Sequence, residues 1–168
     1  MCHEELDKIH GAIPSLSDMD SLPFCQATIL EILRMGCTAP GTLVHQAMKS
    51  VEVGGYKFKK GTLFIGNFFS THFDEEYWEE PQQFRPQRFL TADGKLLTDT
   101  PNFFPFSVGK RVCLGESLAR VELFLFFTAI VKSFQFDPPR HHNPPNADDY
   151  NIVITKIPAG FYCNMSER

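Results

Sequence analysis

No apolar run in this sequence is long enough to cross a bilayer. The most apolar stretch, Leu123 to Val131, is nine residues long and is broken by Thr128, whereas a span needs about 20. Basic residues are also in short supply. There are 16 Lys and Arg against 20 Asp and Glu, a net charge of −4, which removes the electrostatic footprint of a nucleic-acid binder. The five cysteines, Cys2, Cys25, Cys37, Cys113 and Cys163, are odd in number and lack framework spacing, so free thiols and a reducing compartment are expected. There is no Cys-x-x-Cys pair and no Cys/His spacing that suits zinc. Nor does the start resemble a secretory or transit segment, because Met1 to Ile9 reads as the middle of a charged helix. No internal repeat is evident.

Apolar and aromatic side chains are plentiful. The 168 residues are 43% hydrophobic and 13% aromatic, with 17 Phe. Such a composition excludes disorder and supplies one domain's worth of core. The chain is organised around Phe104 to Glu122, which reads F-P-F-S-V-G-K-R-V-C-L-G-E-S-L-A-R-V-E. Its fixed points are Phe106-x-x-Gly109-x-Arg111-x-Cys113-x-Gly115. At ordinary residue frequencies a chain of this length holds that string by chance with odds on the order of 10⁻⁵.

Each fixed point has work to do if Cys113 ligates a metal. A thiolate needs positive surroundings, and a following helix start offers backbone N–H donors and the positive end of its dipole. Gly109 suits a tight turn with positive φ. Gly115 lets a flat ligand approach the backbone. Phe106 can cover the sulfur, and Arg111 places a cation where a carboxylate-bearing cofactor would meet it. An isolated cysteine in this setting would more often be a buried structural residue; the complete pattern reverses that preference.

Taken in order, residues 3 to 10 suggest the tail of an amphipathic helix ended by Gly11. Asp20 or Ser21 is a candidate cap for a second helix with Pro23 in its first turn, running to about Met35 and stopped by Gly36. On it, Glu31 and Arg34 share a face; alone, such a pair is usually a surface ion pair. Val51–Val53 and Tyr56–Phe58 flank Gly54-Gly55, a hairpin signature, and Thr62 to Gly66 is a further strand. His45 lies just before the hairpin. Ser70 to Glu79 reads as a short helical region with Trp78 as anchor. Phe84-Arg85-Pro86-Gln87-Arg88-Phe89 is an aromatic-rich loop, and Thr91 to Thr100 a polar turn around Asp93-Gly94. A helix from Gly115 to Ser133 is apolar nearly all round, which predicts a core helix. The proline-rich stretch from Asp137 to Asp149 is a loop containing His141-His142, read as solvated. The C-terminus predicts a hairpin of Ile152–Thr155 and Phe161–Cys163 around Pro158-Ala159-Gly160.

Phe106 to Gly115 resembles the haem-binding signature of the cytochrome P-450 family, the haem-thiolate monooxygenases. Glu31-x-x-Arg34 and the Phe84–Phe89 element, with Gln87 where the family has Glu, follow the family's order. Val51-Glu52-Val53-Gly54-Gly55-Tyr56 is most similar to its animal microsomal, family-2-like branch. The implied fold is mainly α with small β-sheets and hairpins, the C-terminal third of the family's catalytic domain. Residues 1–168 would be a single partial domain without a complete boundary inside the chain.

The resemblance implies haem b as cofactor, with Cys113 its axial iron ligand. Arg111 and His45 would meet the propionates, and Phe106, Gly109 and Gly115 would complete the cofactor loop. Glu31, Arg34 and Arg88 would form a buried structural network. No catalytic residue apart from the haem ligand is expected, because no Ala-Gly-x-x-Thr-like segment precedes Glu31. The implied reaction inserts one oxygen atom of O2 into a small apolar substrate such as a fatty acid, steroid or xenobiotic. The implied electron donor is an NADPH-cytochrome reductase type flavoprotein docking near Lys110, and the implied place is the cytoplasmic face of the endoplasmic reticulum membrane, anchored through a part upstream of this chain. The hairpin tip and the Pro40 region would line the substrate cavity. The alternative is a shortened, non-catalytic product that binds haem or a partner; Met1, inside a helix pattern, favours a piece of a longer protein.

Overall fold

A computed structural model describes residues 1–146, 149–152 and 154–168. Helix α1, Cys2–Leu6, is followed by a 3₁₀ turn at Leu16–Ser21 and by α2, Pro23–Gly36. Pro23 sits in the first turn of α2, where its missing N–H costs nothing. Neither Asp20 nor Ser21 caps α2, contrary to expectation. The Ser21 hydroxyl donates instead to the Asp18 carbonyl at 2.7 Å. The cap arrives from α1, where the Glu5 carboxylate accepts from the amides of Phe24 at 2.8 Å and Cys25 at 2.9 Å. At its other end α2 stops after Gly36, yet the residue that turns left-handed is Cys37, with φ 39°.

Four two-stranded antiparallel sheets are present among the described residues. Strands β1 (His45–Gln46) and β4 (Leu63–Phe64) pair with each other. Strands β2 (Val51–Val53) and β3 (Tyr56–Phe58) form the expected hairpin, with Gly54 and Gly55 at φ 57° and 81°. Helix α3, Phe68–His72, precedes the loop that carries Trp78.

Helix α4 spans Glu116–Ser133. It packs beside α1 and α2, and Phe124 joins Leu6, Leu22, Cys25 and Ile29 in one core cluster. A second cluster holds Ala27, Trp78 and Phe89, with Phe103 against it. The expectation that α4 is buried all round is corrected. Only Phe124 and Thr128 are buried, while Leu118 and Phe126 are 61% and 66% exposed. α4 has neighbours on one flank only among the described residues, so the other apolar faces stay open.

The C-terminal hairpin also differs from the sequence reading. β6 (Tyr150–Ile152) pairs with β7 (Lys156–Pro158), so Pro158 ends a strand instead of opening the expected turn. Val153, assigned to the first expected strand, lies outside the described residues, as do Ala147 and Asp148 of the proline-rich loop. Phe161 to Cys163 is not a strand. The last strand, β8 (Asn164–Glu167), returns to pair with β5 (Phe134–Asp137), which continues directly from α4. The Lys156 amide donates to the Thr38 carbonyl at 2.8 Å, so β7 docks on the segment that follows α2.

Candidate cofactor site

The loop ahead of α4 is closed by its own backbone. The Cys113 amide donates to the Phe106 carbonyl at 2.8 Å, and the Val112 amide to the Gly109 carbonyl at 3.1 Å. Gly109 stands at φ 73°, a conformation that costs glycine nothing and most other residues about 1–2 kcal/mol. The Glu116 amide, first in α4, donates to the Cys113 carbonyl at 3.3 Å, so the cysteine sits directly over the helix start.

The Cys113 side chain is exposed. Its surroundings are unusual for a surface thiol: Leu114 is 101% exposed and Val112 44%. A Cβ added to Gly115 would lie 3.9 Å from the Cys113 sulfur and near no other atom. Among the described residues Arg111 has no hydrogen-bond or ion-pair partner, so its charge is available to an outside anion. An open thiol, an apolar rim, a glycine that leaves the approach clear and an uncommitted cation together fit a flat apolar cofactor with acidic groups.

The other candidate residues fall in two places. His45 is on β1, half-buried, where its Nδ1 donates to the Leu43 carbonyl at 2.7 Å. No hydrogen bond, ion pair or ring contact among the described residues joins it to the Cys113 loop. Glu31, Arg34 and Arg88 come together in the interior. The Glu31 carboxylate accepts from Arg34 Nε at 2.8 Å, Arg34 Nη2 at 2.9 Å, Arg88 Nε at 3.1 Å and the Arg85 amide at 2.9 Å. The side chains of Glu31 and Arg34 are wholly buried and that of Arg88 is 7% exposed. Each guanidinium is satisfied further by carbonyls: Arg34 reaches His72 and Pro81, and Arg88 reaches Glu79, Glu80 and Gln83. Such saturation is what makes a buried ion cluster tolerable.

Three participants escaped the sequence reading. Trp78 is more than an anchor, because both guanidiniums lie over its ring, Arg34 at 5.3 Å and Arg88 at 5.8 Å. Arg120, seen only as a helix charge, lies 5.1 Å from the Phe106 ring while its Nε donates to Glu116 at 2.8 Å. His72, fully buried at the end of α3, accepts the Phe104 amide on Nε2 at 2.9 Å. The Thr-His-Phe-Asp run around it offered no local sign of burial. His141 and His142 form no metal cluster among the described residues, and the His142 ring stacks on Tyr162 at 4.3 Å.

The chain thus combines helices and small two-stranded sheets with an exposed cysteine just ahead of a helix and a buried Glu–Arg–Arg cluster. The family model for cytochrome P450 matches residues 1–165. Cytochrome P450 2U1 of Homo sapiens is 41% identical over 168 residues, covering 99% of this chain and 30% of that protein. A steroid 17-alpha-hydroxylase/17,20 lyase of Oryzias latipes is 42% identical over 158 residues, covering 92% of this chain and 31% of that protein. Among solved structures, a zebra fish cytochrome P450 with abiraterone superposes with a TM-score of 0.88 at 34% identity, covering 99% of this chain and 38% of that one. The chain belongs to the cytochrome P450 family, with relatives of the animal microsomal type. It spans about a third of the length of the curated relatives it matches.

Proposed function

We propose that this chain is the proximal, haem-ligating part of a monooxygenase that inserts one oxygen atom of O2 into a small apolar substrate. The observation that carries the reading is the open Cys113 at the start of α4, on a loop closed by the hydrogen bond from its amide to the Phe106 carbonyl. A haem bound there through thiolate sulfur supplies electron donation to iron, which favours O–O cleavage.

Everything else falls to the residues of the chain. Cys113 would be the axial ligand, held just ahead of the first turn of α4 by the Glu116 amide on its carbonyl. Arg111 and His45 would hold the propionates. Gly109 would keep the turn tight, Gly115 would leave the porphyrin room, and Phe106, braced by Arg120, would keep water from the sulfur. Glu31, Arg34 and Arg88 move no proton; they fix α2 to the loops that approach Cys113. An NADPH-cytochrome reductase type flavoprotein would deliver electrons near Lys110, and the segment after α2, with β7 docked on it, would border the substrate. The place of action would be the endoplasmic reticulum membrane, through parts of a longer protein, with residues 1–168 one partial domain.

The test uses a family-length protein containing these residues, supplied with reductase, NADPH and a panel of fatty acids, steroids and xenobiotics. NADPH-dependent oxygen insertion that disappears in Cys113→Ala is expected. Turnover undiminished in that variant would overturn the proposal.

A further inference from the structure

We propose that His72 is a positioning residue for the Cys113 loop: through its neutral ring it ties the entry to that loop, at Phe104, to the Glu31–Arg34–Arg88 cluster. The inference rests on Cys113 being the reactive residue of the site, and it concerns how the loop is held in place.

Two hydrogen bonds tie His72 to separate parts of the chain. Its backbone carbonyl accepts from Arg34 Nη1 at 2.7 Å, which fixes the end of α3 to the buried cluster. Its ring Nε2 accepts from the Phe104 amide at 2.9 Å, across 32 residues of sequence. Beyond Phe104 the connection runs on through backbone. The Phe104 carbonyl accepts from the Ser107 amide at 3.1 Å, and the Phe106 carbonyl from the Cys113 amide at 2.8 Å. A continuous line of bonds therefore joins Glu31 to Cys113.

The ring chemistry argues for use and not mere filling of space. A nitrogen that accepts from an amide carries no proton, so the proton is on Nδ1. That Nδ1 is buried without a partner among the described residues. An unsatisfied buried donor is a cost that a phenylalanine of the same shape would avoid. The packing that His72 provides, 5.6 Å between its ring and that of Phe103, would be available to Phe as well. What Phe lacks is the acceptor.

The segment needs holding. Asn102 and Ser107 stand at φ 61° and 68°, left-handed for residues with a Cβ, on either side of the tethered Phe103-Phe104. Conformations of this kind persist where the surroundings over-determine them. The Phe104 tether lies between them, at the entry to the cysteine loop.

Two variants separate acceptor from shape. His72→Phe keeps the ring and loses the acceptor, while His72→Gln keeps an acceptor at the position of Nε2 and loses the ring. Amide hydrogen exchange is measured on the chain without haem. The expected result is about tenfold or faster exchange at Phe104 in His72→Phe, with α4 still protected, and near-native exchange in His72→Gln. Equal loss of protection in both variants, or in neither, would overturn the inference. The same three proteins are then loaded with haem, reduced and exposed to carbon monoxide. His72→Phe should lose the red-shifted thiolate Soret band that wild type and His72→Gln keep; retention in His72→Phe would overturn the inference. Absence of that band in wild type would refute the ligand assignment, while the exchange comparison would still decide the tether.

Discussion

Replacing Glu31 by Gln keeps the shape of the side chain and removes the one negative charge that, among the described residues, is bonded to Arg34 and Arg88. The carboxylate accepts four hydrogen bonds, two from Arg34, one from Arg88 and one from the Arg85 amide. An amide keeps one acceptor and turns the other into a donor facing a guanidinium. The two arginines, 0% and 7% exposed, would then lack a counter-charge and be left with neutral partners, the backbone carbonyls, the Trp78 ring and one amide oxygen. Breaking a buried pair in this way costs about 3–5 kcal/mol, a large share of the ~5–15 kcal/mol that holds a domain together. With a urea dependence of about 2 kcal/mol per molar, the midpoint of urea unfolding should fall by roughly 1.5–2.5 M. Arg85→Ala is the control. Its side chain pairs with Glu79 and Glu80, which are 78% and 54% exposed, and its bond to Glu31 comes from backbone. That variant should lose less than about 1 kcal/mol. A Glu31→Gln midpoint within about 0.5 M of wild type would show that the cluster does not buttress the fold.

Glu5→Ala removes the carboxylate that caps α2 from α1; it should cost about 1–2 kcal/mol in thermal or urea unfolding, and an unchanged transition would refute the capping role. Burial, reinforced by the Arg34 charge, lowers the pKa of His72 from 6.5 to about 4. The unfolded chain therefore takes up a proton below pH ~6.5 that the folded chain refuses until pH ~4, so stability should drop by about 3 kcal/mol as pH falls through that window and His72 should add no further loss below it. Urea midpoints between pH 6.5 and 4.5 should show that slope in wild type and a shallower one in His72→Gln. The neighbouring Cys25 thiol, helped by the Thr28 hydroxyl 3.4 Å from the Cys2 sulfur, lowers the pKa of Cys2 to about 7. Alkylation of Cys2 by iodoacetamide at pH 7.5, followed by mass spectrometry, should slow several-fold in Cys25→Ala; an unchanged rate would remove Cys25 as the cause.

What the sequence made legible was mostly local. The Gly54-Gly55 hairpin, the span of α2 and the cysteine loop each rest on turn glycines, a proline or apolar periodicity within a dozen residues. The Glu31–Arg34 spacing was readable too, but its burial was not, because Trp78 and the Arg85–Arg88 loop that enclose it are distant in sequence. The partners of Glu5 and His72 lie 19 and 32 residues away, and neither side chain carries a mark of them. The C-terminal error has the same origin. Pro158-Ala159-Gly160 looks like a turn, yet Pro158 ends a strand opposite Tyr150. The true last strand, Asn164–Glu167, is polar and pairs with residues 134–137. An exposed two-stranded ribbon needs no apolar alternation, so nothing in the local pattern announced it. Helix α4 was recognised as an element and misjudged in burial, since periodicity reports which faces are apolar and is silent on which are covered.

The central claim is that Cys113 ligates haem iron. The most direct test is the reduced, carbon monoxide-bound absorption spectrum of the haem-loaded chain, recorded beside Cys113→Ala. A strongly red-shifted Soret band in wild type that vanishes in the variant is the expected result. A red-shifted band that survives in Cys113→Ala, or haem bound by wild type without that shift, would contradict the assignment.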